Sequence, residues 1–160
     1  MTELQLIGLA EAVVNNLKKQ NKTLGLAESC TGGWLSKILT DIGGVSAIYK
    51  GGVCSYANET KINILGVKKE TLENFGAVSE ECVKSMAMGI INKTGSDISV
   101  ATTGFAGPAT DYDTLPVGTF YIAVSDGINT EVRKYFHNGM RQEVTACGIK
   151  KAIDLLRAFL

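Results

Sequence analysis

The chain has 160 residues, 45% of them hydrophobic, and its 16 basic residues balance 16 acidic ones. A chain of this length and composition buries a substantial core, so we treat residues 1–160 as one domain. The lack of net positive charge disfavours a protein that binds nucleic acid or an anionic membrane surface.

The predicted elements begin with a helix over residues 3–20. Thr2 and Gln5 have the spacing of a capping box, and apolar residues then recur at helical intervals. The short apolar run at 23–27 predicts a strand, and helical spacing resumes at Trp34 after a glycine-containing turn. The first third of the chain therefore has the order helix, strand, turn, helix.

The middle of the chain contains an extended segment and two short predicted helices. Residues 46–56 read as an extended segment interrupted by a glycine pair. Asn58 is a suitable cap for a short helix that runs up to Gly66, and a second short helix follows over 69–75. These helices precede a longer one.

The remaining elements complete an alternating pattern. Ser79 caps a predicted long helix that ends at Gly95. The elements after it are a strand at 97–102, a long loop at 104–116, a hairpin of strands at 117–125 and 130–136, and a helix from Arg141 onward. Helices and strands alternate along most of the chain, which predicts an α/β fold: a three-layer α/β/α sandwich with a mixed sheet.

The cysteine pattern bears on metal binding and on location. Four cysteines lie far apart without a C-x-x-C pair, and the chain has a single histidine, so we expect no metal site. Glu3 and Glu11 interrupt the apolar positions at the start, unlike a signal peptide, and no segment has the length and apolarity of a membrane span. We therefore expect reduced thiols in a cytoplasmic protein.

The turn Ser29-Cys30-Thr31-Gly32-Gly33 is the first candidate for chemistry. The backbone amides of a turn between a strand and a helix can bind an anion, and the helix dipole adds to the attraction. The Ser29 hydroxyl is either a nucleophile, with the amides stabilising an oxyanion, or only a cap of the following helix. The local pattern by itself favours the cap.

A nucleophilic serine needs a base, and the sequence offers two candidates. His137 precedes Asn138-Gly139, which is typical of an exposed loop imidazole with at most a minor role. Lys61 follows Tyr56 on a short helix, and a lysine whose pKa is lowered by burial is a possible base, with the phenol relaying a proton. Taken alone, Lys61 is more typical of a solvated helix lysine.

Ordered sequence blocks resemble the CinA carboxy-terminal domain family over nearly the whole chain. They are Ala27-Glu28-Ser29-Cys30-Thr31-Gly32-Gly33, Gly52-Val53 with Tyr56, Asn58 and Lys61, Leu65-Gly66-Val67, Gly76-Ala77-Val78-Ser79-Glu80, Thr103-Gly104 with Ala106-Gly107-Pro108, and Pro116-Val117-Gly118-Thr119. A run of matched blocks in order is far more specific than a lone glycine motif.

The resemblance implies an amidohydrolase that converts nicotinamide mononucleotide to nicotinic acid mononucleotide and ammonia, without a metal or cofactor. By matching positions, Ser29 is the expected nucleophile, and Tyr56 and Lys61 are expected to activate it. Arg141 resembles a glycine-x-arginine element of the family and is a candidate phosphate ligand. Amides from Cys30 to Gly33, and those around Thr103 and Gly104, are candidate oxyanion or substrate donors.

The chain departs from the family pattern at residues 109–115. Relatives usually have consecutive glycines followed by a lysine there, whereas this chain has Ala109, Thr110 and, at the end, Leu115. We expect the change to affect substrate choice or activity, so a catalytically silent nucleotide-binding or regulatory module is the alternative. For either function we expect a homo-oligomer whose partner is a small pyridine mononucleotide, with neither nucleic acid nor membrane involved.

Overall fold

The computed structural model describes all 160 residues, which form six helices and five strands. The helices are α1 (Glu3–Lys19), α2 (Trp34–Thr40), α3 (Asn58–Asn63), α4 (Lys69–Phe75), α5 (Glu80–Thr94) and α6 (Arg141–Phe159). The strands are β1 (Leu24–Glu28), β2 (Tyr49–Cys54), β3 (Ile98–Gly104), β4 (Thr119–Ser125) and β5 (Thr130–Phe136). A 3₁₀ turn at Val45–Ala47 precedes β2.

The strands form one mixed sheet in the order β2-β1-β3-β4-β5. Strands β2, β1 and β3 are parallel, whereas β3, β4 and β5 are antiparallel to their neighbours. The carboxyl ends of the three parallel strands therefore share one edge of the sheet, where open α/β sheets usually bind ligands. Segments from distant parts of the sequence meet at that edge.

Alternation along the strands explains the two helical layers. Leu26, Val100 and Ile122 face a core built with α1, α2 and α6. Their neighbours Ala27, Ala101 and Ala123 face a second core built with α5 and the segment after α3. Strand side chains alternate between faces, so the small alanines allow close approach of α5. The predicted three-layer α/β/α sandwich with a mixed sheet is confirmed.

Several predicted boundaries need correction. Strand β2 begins at Tyr49, after the 3₁₀ turn, and not at residue 46, and β3 extends to Gly104 and not only to residue 102. Strand β1 extends one residue beyond Ala27, so Glu28 belongs to the strand. Asn58 is the first residue of helix α3 and not its cap, and the helix ends before Gly66. The N-cap position belongs to Ala57, whose side chain forms no cap hydrogen bond. Strand β4 begins after Gly118 because that glycine has a φ of 96°, outside the extended region.

Two predicted caps are confirmed. Thr2 and Gln5 form the reciprocal capping box of α1, and the Ser79 hydroxyl accepts a hydrogen bond from the Cys82 amide at the start of α5. No helix combines the length and apolarity that crossing a membrane requires.

Helix α5 packs so closely on the segment after α3 that Gly89 has no room for a side chain. A Cβ there would lie 1.9 Å from the Leu65 carbonyl oxygen, whereas a Cβ at Gly148 in α6 would meet nothing nearer than 3.9 Å. We expect Gly89→Ala to lower the free energy of unfolding by about 1–3 kcal/mol. Gly148→Ala, the matched control, should leave it unchanged or raise it by up to about 1 kcal/mol. Urea unfolding measures both, and equal effects would contradict the prediction.

Candidate active site

A cavity of about 370 Å³ opens at the carboxyl edge of β1, β2 and β3. This volume lies within the roughly 300–1,000 Å³ typical of small-molecule sites. The residues from the sequence-based prediction that line it are Ser29, Cys30, Tyr56, Lys61, Thr103, Gly104 and Arg141. Thr31, Gly32 and Gly33 do not line it, although they belong to the same turn as Ser29.

Lys61 is a buried amine in contact with Ser29. Its Nζ donates hydrogen bonds to Ser29 Oγ at 3.2 Å and to the Ser55 carbonyl at 2.6 Å. The residue is only 1% exposed and forms no salt bridge, which is rare because buried lysines are normally paired with a carboxylate. Burial lowers the pKa of the Lys61 amine. The solvated-lysine interpretation is therefore wrong, and the amine is suited to accept a proton.

Ser29 does not cap α2. Gly33 occupies the N-cap position of that helix and, as a glycine, has no side chain that could form a cap hydrogen bond. The only hydrogen-bond partner of Ser29 Oγ is the Lys61 amine. The cap interpretation is wrong, and the hydroxyl faces the cavity beside its base candidate.

Glu28, and not Ser29, accepts the hydrogen bonds of the free backbone amides at the start of α2. Its carboxylate accepts hydrogen bonds from the backbone amides of Gly33, Leu35 and Ser36 and from the hydroxyls of Thr31 and Ser36. The side chain is 2% exposed. The sequence held one signal for this role, because an acidic residue ends an otherwise apolar strand just before the turn that leads into a helix N-terminus.

The amides of the Ser29 turn are not equally available. The Gly32 amide donates to the Ser29 carbonyl and the Gly33 amide to Glu28, so both are already engaged. The amides of Cys30 and Thr31 donate no hydrogen bond within the chain. Of these two residues, only Cys30 also lines the cavity, so the Cys30 amide is the one in this turn that is available to a bound molecule.

Arg141 and Tyr56 form a bridge across the cavity mouth. The guanidinium donates one hydrogen bond to the Tyr56 hydroxyl and another to the Gly107 carbonyl. Tyr56 thus shares the cavity with Ser29 and Lys61 but bonds to neither of them. The first residue of α6 consequently joins the segment after β2 to the loop after β3.

The end of β3 forms the opposite wall. Thr103 lines the cavity while its hydroxyl donates to the Ala77 carbonyl at 2.7 Å. Gly104 lacks a side chain for a packing reason, since a Cβ there would lie 2.5 Å from the Cβ of Phe120. The amide of the buried residue Ala106, which also lines the cavity, makes no hydrogen bond within the chain. Buried amides without a partner are rare, so this one is available to a bound molecule.

Two other nucleophile or base candidates are weaker. Burial raises the pKa of the Cys30 thiol to about 12, so the thiolate is scarce at neutral pH. His137 lies in a separate cavity with Glu143 and Cys147, away from Ser29. No group of side chains is arranged to hold a metal ion.

The altered loop contributes a carboxylate to the cavity, which sequence reasoning missed. Thr110 and Asp113 line it, and the Asp113 carboxylate accepts hydrogen bonds from the Thr110 amide and hydroxyl at 2.8 and 2.9 Å. Leu115, the position where the family resemblance leads us to expect a lysine, is half-buried and does not line the cavity. Asn58, predicted only as a cap, lines the cavity as well.

Comparison with known proteins gives consistent matches over nearly the whole chain. The "CinA-like protein" of Fervidobacterium nodosum is 48% identical over 149 residues, which cover 92% of this chain and 36% of the relative. That of Endomicrobium trichonymphae is 44% identical over 149 residues, or 93% of this chain and 35% of the relative. The chain therefore spans about a third of the length of these curated relatives.

Solved structures share both the fold and the sequence pattern. The competence damage-inducible protein A (ComA) of Klebsiella pneumoniae superposes with a TM-score of 0.92 at 36% identity, covering 94% of each chain. A CinA superfamily protein of Escherichia coli gives a TM-score of 0.94 at 30% identity, covering 97% of this chain and 90% of that one. The family model described as the CinA C-terminal domain matches residues 7–160. This chain belongs to the CinA C-terminal domain family.

Proposed function

We propose that this domain hydrolyses the carboxamide of nicotinamide mononucleotide to give nicotinic acid mononucleotide and ammonia. The observation that carries the proposal is the hydrogen bond between the unpaired, buried Lys61 amine and Ser29 Oγ at the cavity wall. A hydroxyl with an adjacent base is the arrangement used for acyl transfer. The choice of substrate rests on the family resemblance.

The first half of the reaction forms an acyl-enzyme. Neutral Lys61 takes the proton of Ser29 as Oγ attacks the carboxamide carbon, and the carbonyl electron pair moves onto its oxygen. When the tetrahedral intermediate collapses, the C–N bond breaks and Lys61 delivers the proton to the departing nitrogen. Ammonia leaves, and the acyl group stays bound to Ser29 as an ester.

The second half returns the enzyme to its starting state. Water attacks the ester carbon and gives a proton to Lys61, and the new intermediate then expels Ser29. Lys61 returns the proton to the serine oxygen, so water and amide have become a carboxylic acid and ammonia. Lys61 therefore acts alternately as base and acid, which requires a pKa below that of an ordinary lysine.

Two backbone amides are proposed to stabilise the oxyanion. Cys30 and Ala106 line the same cavity, and both have amides free of intramolecular hydrogen bonds. Fixed donors directed at developing negative charge lower the barrier most because they need no reorganisation during the reaction. This assignment replaces the engaged amides of Gly32 and Gly33.

The substrate phosphate is assigned to Arg141. Apart from Lys61, it is the cationic side chain that lines the cavity, and a guanidinium binds phosphate through two parallel hydrogen bonds. The Tyr56 hydroxyl lies against this guanidinium, so we assign Tyr56 to orienting the substrate and relaying protons at the cavity mouth.

The direct test is to incubate the purified protein with nicotinamide mononucleotide and measure both products. We expect ammonia and nicotinic acid mononucleotide in equal amounts. Nicotinamide riboside, which lacks the phosphate, serves as the matched substrate and should be hydrolysed with a higher KM. Binding of the nucleotide without turnover would instead support a catalytically silent nucleotide-binding module.

Replacing Arg141 should weaken substrate binding more than catalysis. We expect Arg141→Ala to raise the KM for nicotinamide mononucleotide by about 10- to 100-fold, since a hydrogen bond to a charged group contributes about 1.5–3 kcal/mol. The KM for nicotinamide riboside should change much less. Arg157→Ala is the control, because Arg157 lies on the same helix with an exposed side chain bonded to Asp154. A similar loss for both substrates would contradict the phosphate assignment.

A further inference from the structure

Glu28 is a buried carboxylate that the proposed reaction does not use. It is 2% exposed, forms no salt bridge and does not line the cavity. A buried charge is costly unless hydrogen bonds satisfy it. Five donors supply that satisfaction, and all of them come from the turn that carries Ser29 or from the start of α2.

Both oxygens of the Glu28 carboxylate accept hydrogen bonds from the Ser29 turn or from the start of α2. Oε2 accepts from the Thr31 hydroxyl at 2.6 Å and from the Gly33 and Leu35 amides, both at 3.1 Å. Oε1 accepts from the amide and hydroxyl of Ser36 at 2.9 and 2.6 Å. The residue just before Ser29 is thereby bonded to the residues that end the turn, which fixes the path of the chain at the nucleophile.

The backbone of the same residue positions the base. The Glu28 carbonyl accepts hydrogen bonds from the amide and the hydroxyl of Ser55 at 2.7 and 3.1 Å. The Ser55 carbonyl in turn accepts from Lys61 Nζ at 2.6 Å. The Glu28 side chain therefore holds the turn that carries Ser29, and its main-chain carbonyl holds Ser55, which in turn binds the Lys61 amine.

Hydroxyl groups extend this network to the neighbouring strands. A carboxylate only accepts, so Thr31 donates to Glu28 and its oxygen is left to accept from Thr102 on β3 at 2.8 Å. On the other side, Tyr49 on β2 donates to Ser36 at 2.8 Å. The carboxylate therefore sets the direction of the hydrogen bonds that run through the hydroxyls of Thr31 and Ser36.

We propose that Glu28 is a positioning residue that holds Ser29 and Lys61 at hydrogen-bond distance. This inference rests on the proposed function, in which Ser29 is the nucleophile. Glu28 acts through the turn and Ser55 and does not contact the substrate. Its loss should therefore reduce the reactivity of Ser29 while leaving substrate affinity nearly unchanged.

The first experiment is Glu28→Gln, which keeps the size and removes the charge. A glutamine amide has one accepting oxygen, so its NH₂ group would face either the Ser36 amide or the amides of Gly33 and Leu35. We expect kcat to fall about 100-fold, the effect of displacing a reacting group by roughly 1 Å. We expect KM to stay within about threefold of the native value.

A second pair of variants keeps the test decisive if Glu28→Gln fails to fold. Thr31→Val removes the hydroxyl that donates to Glu28, whereas Thr31→Ser retains it. We expect Thr31→Val to lower kcat about tenfold and Thr31→Ser to restore it, since only the hydroxyl is needed. Ser99→Ala is the control, because it removes another buried hydroxyl, bonded to Ala87, outside the network. It should alter stability and leave kcat unchanged.

A readout independent of deamidation separates this inference from the proposed substrate. The rate at which a small fluorophosphonate labels Ser29, followed by mass spectrometry, reports nucleophile reactivity directly. Slower labelling in Glu28→Gln and Thr31→Val than in Thr31→Ser supports the inference, even if nicotinamide mononucleotide is not hydrolysed. Native labelling rates in folded Glu28→Gln or in Thr31→Val, equal losses in Ser99→Ala, or an unreactive Ser29 in the native protein would overturn it.

Discussion

Ser29→Ala should abolish ammonia release while the protein stays folded. The substitution removes the attacking oxygen, and loss of a nucleophile lowers kcat by a factor on the order of 10⁴ or more. The structural cost is small, because the hydroxyl neither caps α2 nor makes any hydrogen bond except that to Lys61. Coupled ammonia detection gives the rate, and thermal unfolding confirms the fold.

Cys30 is the natural control, since it follows Ser29 and lines the same cavity. Its thiol has a pKa raised to about 12 by burial, which makes it a poor nucleophile. We expect Cys30→Ser to keep kcat within about tenfold of the native value, because its backbone amide is unchanged. Native activity in a folded Ser29→Ala protein, or its loss in Cys30→Ser alone, would reassign the nucleophile.

The fold could be predicted from the sequence because its signals are local. The alternation of helical and extended patterns predicted three layers, and the caps at Thr2 and Ser79 marked helix starts correctly. Errors arose where tertiary contacts override local preference. The start of β4 at Thr119 depends on Gly118, whose left-handed conformation is accompanied by close packing against the carbonyl of His137.

The site was only partly predictable for a similar reason. Nothing near Lys61 in the sequence shows that it is buried, because its surroundings come from the turn after β1, from the end of β2 and the residue after it, and from α5. Ser29 was predicted as a cap because serine is a common cap residue, but the adjacent Glu28 accepts the hydrogen bonds from the start of α2. A long-range contact with Ser29 decided the case of Lys61, whereas hydrogen bonds from the neighbouring residue Glu28 decided the case of Ser29.

Lys61→Met should lower kcat far more than it changes KM. Removal of a general base or acid typically reduces the rate by about 10²- to 10⁴-fold. The amine lies beside Ser29 and the Ser55 carbonyl, so we assign it to proton transfer and not to phosphate binding. Steady-state kinetics with nicotinamide mononucleotide separates the two parameters. A defect confined to KM would make Lys61 a substrate ligand.

Two further observations test the protonation state. For the native protein, we expect kcat/KM to rise with pH along a limb whose midpoint lies below 10.5, the ordinary lysine pKa, because only the neutral amine accepts the Ser29 proton. Lys61→Arg keeps a positive charge but stays protonated throughout this range, so it should be as inactive as Lys61→Met. Appreciable activity in Lys61→Arg would show that charge alone suffices.

The lowered pKa of Lys61 also predicts how stability depends on pH. Between the folded-state pKa and 10.5, the unfolded chain holds this proton more tightly, so the free energy of unfolding of the native protein rises with pH. Below that pH window the buried charge of Lys61 destabilises the folded protein fully, and above the window this destabilisation is absent.

Lys61→Met lacks this pH-dependent destabilisation, although it loses the hydrogen bond to the Ser55 carbonyl at every pH. The stability of the variant relative to the native protein should therefore decline as pH increases, which urea unfolding at a series of pH values measures. A difference that does not vary with pH would mean that Lys61 has the same pKa in the folded and unfolded chains, and it would remove the basis for its role as a base.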